Sequence, residues 1–155
     1  MIDWQAGALV LIALTAAAAA FFIARRKPWL ARIQARPIMT ANETEFFHRL
    51  QKALPSHHVF PQVSFAAFMT DDGKLTGKAR WSVRARFDRK IADFLICDRE
   101  TFTVLAIVEL DDRTHNAHAD RQRDAITEAA GYVTVRFLSS PRPSVGEIAT
   151  RLASV

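Results

Sequence analysis

The chain has 155 residues, a formal net charge of +5 and a single cysteine. That length allows one ordinary domain plus an appendage, and a lone Cys97 excludes an internal disulfide and a cysteine-built zinc site. The charge is localised: residues 25–36 carry five basic side chains and no acid, whereas residues 40–155 carry 16 basic and 15 acidic ones. The overall basicity therefore says little about nucleic acid.

From Ala6 to Ala24 the sequence has no charge and one polar side chain, Thr15. At about 1.5 Å per residue such a helix is about 28 Å long, close to the hydrocarbon thickness of a bilayer. Asp3 and Gln5 precede the run, Arg25-Arg26-Lys27 follows it, and Trp4 and Trp29 sit at interfacial positions. The pattern predicts one transmembrane helix over 6–24, a basic juxtamembrane linker over 25–39 and a domain over 40–155. The length of the run, with only an acid before it, argues against a cleaved signal peptide. The basic flank predicts a single-pass cell-membrane protein, N-terminus outside and domain in the cytoplasm, with the lipid bilayer as a partner.

Thr40-Ala-Asn-Glu43 reads as a capping box, and Phe46, Phe47, Leu50, Ala53 and Leu54 follow with helical spacing up to Pro55. Residues 58–69 read as extended, with Pro61 marking an edge or a strand start. Asp71-Asp72-Gly73 is a loop. In 74–90, Trp81, Val83, Ala85 and Phe87 alternate with Arg80, Ser82, Arg84 and Arg86, which suits a strand with one wet face or a mobile loop. Ile91–Cys97 and Phe102–Leu110 are apolar strands, the second predicted to be central and covered on both faces. Residues 117–130 predict a helix stopped by Gly131, Tyr132–Phe137 a strand, and Val145–Leu152 a closing helix.

Acids interrupt the two apolar strands. Asp93 lies within the first; Glu109 ends the second, with Asp111 two residues on and so on the same face. In a hairpin that pairs 93 with 107 or 109, the three carboxylates converge. Buried carboxylates need a partner, and a hard cation such as Mg²⁺, with Mn²⁺ as the alternative, fits an all-oxygen site. The competing readings pair Asp93 with an arginine of 80–89 and make Glu109 and Asp111 caps of the following loop.

Asp93-Phe-Leu-Ile, Glu109-Leu-Asp111, His115, Arg121-Gln-Arg123-Asp124 and Ala130-Gly131-Tyr-Val-Thr-Val-Arg136-Phe together resemble the restriction-endonuclease-like PD-(D/E)XK superfamily. Within it the chain looks like the bacterial domain-of-unknown-function family numbered 2726, which is similar to very-short-patch repair endonucleases, with likeness from about Thr40 to Phe137. The resemblance implies a mixed sheet flanked by helices, with Asp93 and Glu109 in the metal-binding acid positions. Asp111 stands where the superfamily's usual motif has lysine; the short-patch branch also lacks that lysine and uses aspartate and histidine. The expected catalytic set is therefore Asp93, Glu109, Asp111 and His115, with Asp93, Glu109 and Asp111 as metal ligands and His115 moving a proton.

The basic segment 74–90 is the candidate nucleic-acid surface, with Arg80, Arg84, Arg86 and Lys90 joined by Arg123 as phosphate contacts for DNA or RNA. Trp81 could stack on a base there, burial against the core being the stronger expectation, and a solvated basic face or a lipid-facing patch is the competing reading. The sequence supports three functions: a membrane-anchored metal-dependent nuclease without small-molecule cofactor, a non-catalytic nucleic-acid or protein binding module, and a structural adaptor. Oligomeric state is not legible.

Overall fold

In a computed structural model of the chain the residues described are 4–24, 32–111 and 117–153. They fall into two compact units, Met1–Arg36 and Pro37–Val155.

The first unit contains helix α1 (Trp4–Ala24), whose Thr15 hydroxyl donates back to the carbonyls of Leu11 and Ile12. Among the described residues no helix is long and apolar enough to cross a membrane. The expected transmembrane helix over 6–24 is thereby corrected, and with it the cell-membrane localisation and the topology derived from it. The basic flank 25–31 lies outside the described residues, so lipid contact there has no structural support.

The second unit begins with α2 (Ala41–Ala53). Its capping box forms as read: Glu43 N–H donates to the Thr40 hydroxyl at 3.3 Å, and Thr40 N–H donates to Glu43 Oε2 at 2.6 Å. Strand β1 (His57–Ser64) follows and runs into a 3₁₀ turn, Phe65–Ala67. Helix α3 (Gly77–Arg84) comes next, then β2 (Ile91–Asp98), β3 (Val104–Asp111), α4 (Ala117–Ala129), β4 (Val133–Leu138) and α5 (Val145–Leu152). The four strands form one mixed sheet in the order β1-β2-β3-β4: β1–β2 and β2–β3 are antiparallel, and β3–β4 is parallel. A parallel neighbour requires a crossover, which α4 supplies.

Of the segment 74–90, read as a wet-faced strand or a mobile loop, residues 77–84 form helix α3, which overturns the strand, while 85–89 are turns. Asp71 anchors one face of this helix. The Asp71 side chain is only 1% exposed; it accepts from Arg80 Nε at 2.9 Å and lies 3.8 Å from Arg84 Nη1. Arginines four apart lie on one face of a helix, so both reach the one carboxylate.

The sheet has two apolar faces. Phe94, Ile96, Ala106 and Val108 point toward Phe46 and Leu50 of α2 and Ile148 and Leu152 of α5. Leu95, Cys97 and Ile107 point the other way, toward Phe65, Met69, Phe87 and, from α4, Ile126. Successive β3 residues thus enter different cores, which explains its continuous apolar run. Leu50, Phe94, Phe137 and Ile148 are almost fully buried, and each such side chain contributes about 1.5–3 kcal/mol by leaving water.

Candidate functional site

The hairpin register brings Asp93 and Glu109 together. Phe94 pairs with Val108, Leu95 with Ile107 and Ile96 with Ala106, so continuing the ladder sets Asp93 opposite Glu109. This is the register in which the carboxylates converge. Asp93 Oδ2 accepts the Leu110 amide at 3.0 Å, tying the two strands beside the site.

Glu109 is 1% exposed. Its Oε2 receives Arg123 Nη1 from α4 at 2.7 Å, while its Oε1 is buried with no hydrogen-bond partner. The guanidinium of Arg123 also donates to the Ile91 carbonyl at 3.2 Å and lies over the Phe65 ring, 5.9 Å from its centroid. Burial pushes the Glu109 carboxyl up to about 8, the charge of Asp93 adds to the rise, and Arg123 and Arg136 oppose it. Burial also raises Asp93, against the Leu110 amide and Arg123, with Glu43 and Asp111 pushing the same way as burial. Arg123 acts on both carboxylates and Arg136 on Glu109, yet burial and the neighbouring acids outweigh them, so a proton or a cation at the pair is favoured.

Asp111 continues the same strand face but is held by Arg136 Nη1 at 3.4 Å, and Arg136 Nη2 reaches Asp124 at 2.6 Å. Among the described residues no group of three or more histidine, cysteine, aspartate or glutamate side chains is placed to hold one metal ion. The expected three-carboxylate convergence therefore reduces to Asp93 and Glu109, with Asp111 drawn into the arginine network. His115 lies outside the described residues.

The orphaned Glu109 Oε1 and the uncompensated Asp93 are the features that fit a cation. Mg²⁺ commonly takes one or two carboxylates and completes its shell with water and phosphate oxygens, so two hard oxygen donors suffice.

Of the phosphate-contact candidates, Arg80 and Arg84 are engaged by Asp71, and Arg84 also faces Asp88 at 3.4 Å. Arg123 belongs to the carboxylate pair. Arg86 is exposed and Lys90 half-buried, both without a side-chain partner among the described residues. Trp81, expected against the core, is 74% exposed. Its place on α3 turns it outward, because the helix anchors through Arg80 and Arg84 to Asp71.

Three residues near the site escaped the sequence reading as contributors. Glu43, read only as a cap, also accepts from Gln62 Nε2 at 3.0 Å and raises Asp93 by its charge. Gln62 has a positive φ of 53°, which no pattern around it signals. Arg136, read within a family motif, joins Asp111 to Asp124. Glu45 pairs with Arg49 at 2.6 Å and with Arg142.

Comparison with known families adds one match. The sequence model of the family described as "Protein of unknown function (DUF2726)" matches residues 35–154. The chain belongs to that family. The match covers the whole mixed sheet and its helices and leaves α1 outside. No curated protein matches the chain, and no solved structure does.

Proposed function

We propose that this DUF2726 domain is a divalent-cation-dependent nuclease that hydrolyses phosphodiesters at the Asp93–Glu109 pair. The observation that carries the reading is Glu109: a carboxylate sealed in a central strand, one oxygen without a partner, opposite a second carboxylate. The mixed sheet flanked by helices is the architecture that the nuclease resemblance implies.

Asp93 and Glu109 would hold the cation. When bound, Mg²⁺ or Mn²⁺ supplies Lewis acidity toward a phosphoryl oxygen and a more acidic bound water. Arg123 holds the Glu109 carboxylate in place through Oε2 and leaves Oε1 for the ion. Asp93 is fixed by the Leu110 amide, so its geometry does not depend on substrate. Asp111, paired with Arg136, supports the site electrostatically rather than as a ligand. The proton-handling role assigned to His115 belongs to this proposal unchanged.

A second reading has its own observation: Glu109 and Asp111 are each already bridged by an arginine, which suits a binding module without catalysis. One experiment separates the two. The full chain is incubated with labelled single- and double-stranded nucleic acid and Mg²⁺ or Mn²⁺, and cation binding is followed by calorimetry. Cation-dependent cleavage lost in Asp93→Ala supports hydrolysis. Nucleic-acid binding without cleavage or cation uptake supports the module.

A further inference from the structure

We propose that α3 and the segment after it form a binding platform for single-stranded nucleic acid, with Trp81 as the stacking surface. The inference rests on the preceding reading only in choosing nucleic acid as the occupant.

An indole that is 74% exposed on a short helix is unusual: it leaves a large apolar ring in water with no core to cover it. Its setting is cationic. Lys74, Lys78, Arg86 and Arg89 are exposed and Lys90 is half-buried, and among the described residues none of the five has a side-chain partner. Asp88, the sole acid in this stretch, faces Arg84. Lys78 precedes Trp81 by three residues, so cation and ring share one helix face.

The platform is held rigidly. Asp71 clamps Arg80 and Arg84 from beneath. At the other end, Phe65 N–H donates to the Lys90 carbonyl at 2.9 Å and the Ser64 hydroxyl donates to the Asp88 carbonyl at 3.4 Å. The basic stretch then continues directly into β2, where Asp93 follows Lys90 by three residues.

Free cations beside an exposed aromatic ring match the combination by which single strands are held: phosphates neutralised along a track, and a base stacked on a ring. In a duplex the base faces are already stacked on one another and offer Trp81 nothing. The same logic excludes a purely acidic polypeptide as the favoured occupant, since it would use the cations and leave the indole idle.

The test is fluorescence anisotropy of labelled oligomers of about 12 nucleotides with the full chain in EDTA, so that neither cation nor cleavage enters. DNA and RNA single strands, the matching duplex and polyglutamate are compared. Single strands should bind more tightly than duplex by roughly 5- to 150-fold, the range of one base–aromatic stack. Trp81→Ala should erase that preference, and Trp81→Phe should restore part of it. Five phosphate contacts predict roughly a 100-fold loss of single-strand affinity between 50 and 200 mM salt. Equal affinity for strand and duplex, a preference unchanged in Trp81→Ala, or polyglutamate binding as tightly as the single strand would overturn the proposal. Single-strand preference without cation-dependent cleavage would leave the platform standing and refute hydrolysis.

Discussion

Replacing Glu109 with glutamine keeps the shape of the side chain and removes its titration. In the fold this carboxyl is raised from an ordinary 4.5 to about 8, by burial first and by Asp93 second. In the unfolded chain it ionises near the ordinary value. Between those limits the folded state holds a proton that the unfolded state has released, so stability falls as pH rises from about 4.5 toward 8. At about 1.4 kcal/mol per pH unit the full effect is about 5 kcal/mol. Glutamine avoids this loss but gives up the charge-assisted hydrogen bond from Arg123, worth about 1–3 kcal/mol. The net expectation is a Glu109→Gln protein about 2–4 kcal/mol more stable than the parent near pH 8.5, and equal or less stable near pH 5. Urea unfolding of both proteins, followed by circular dichroism without divalent ions, measures this. The difference between the two isolates the site from every other titrating group. If the difference does not change between pH 5 and 8.5, the buried-carboxylate reasoning is wrong. Adding Mn²⁺ at the higher pH should stabilise the parent and leave Glu109→Gln unmoved, because only the parent has a second anion to neutralise.

The remaining predictions concern the frame around the site. Thr40→Ala removes the hydroxyl that caps α2 and should lower stability by about 0.5–2 kcal/mol in thermal melts. Ile148→Ala opens a cavity where α5 meets the sheet and should cost about 2–5 kcal/mol by urea unfolding. Asp71→Asn should release Arg80 and Arg84, and limited trypsin digestion should then cut within α3 faster than in the parent, with the sheet still protected. Arg80 and the Gly73 amide outweigh the upward push of burial and hold Asp71 below the usual carboxylate range. The clamp should therefore persist at neutral pH and open on acidification, with trypsin-independent readouts such as hydrogen exchange showing the onset.

Much of the architecture was legible because it depends on local chemistry. Thr40 and Glu43 cap α2 whatever packs against it, and β3 shows its double burial in its own unbroken run of aliphatic residues. The even-numbered hairpin register could be stated as a condition, and the ladder from Phe94–Val108 to Ile96–Ala106 satisfies it. The helix within 74–90 was not legible, because the alternation of Trp81, Val83, Ala85 and Phe87 carries no sign of the contact that Arg80 and Arg84 make with Asp71, outside the pattern. Trp81 was misjudged for the same reason: its face is set by where the helix is anchored. Residues 6–24 illustrate the converse, since an apolar composition suggested a membrane span where among the described residues no helix is long and apolar enough to make one.

By itself the sequence determined the four strands, the capping box at Thr40 and which acids interrupt apolar runs, since each is a property of neighbours along the chain. Which carboxylates meet, and which are claimed by arginine, was decided only in three dimensions. Arg123 reaches Glu109 across 14 residues and Arg136 reaches Asp111 across 25. Charges so far apart in sequence interact strongly only when folding carries them out of water and within a few ångströms of each other.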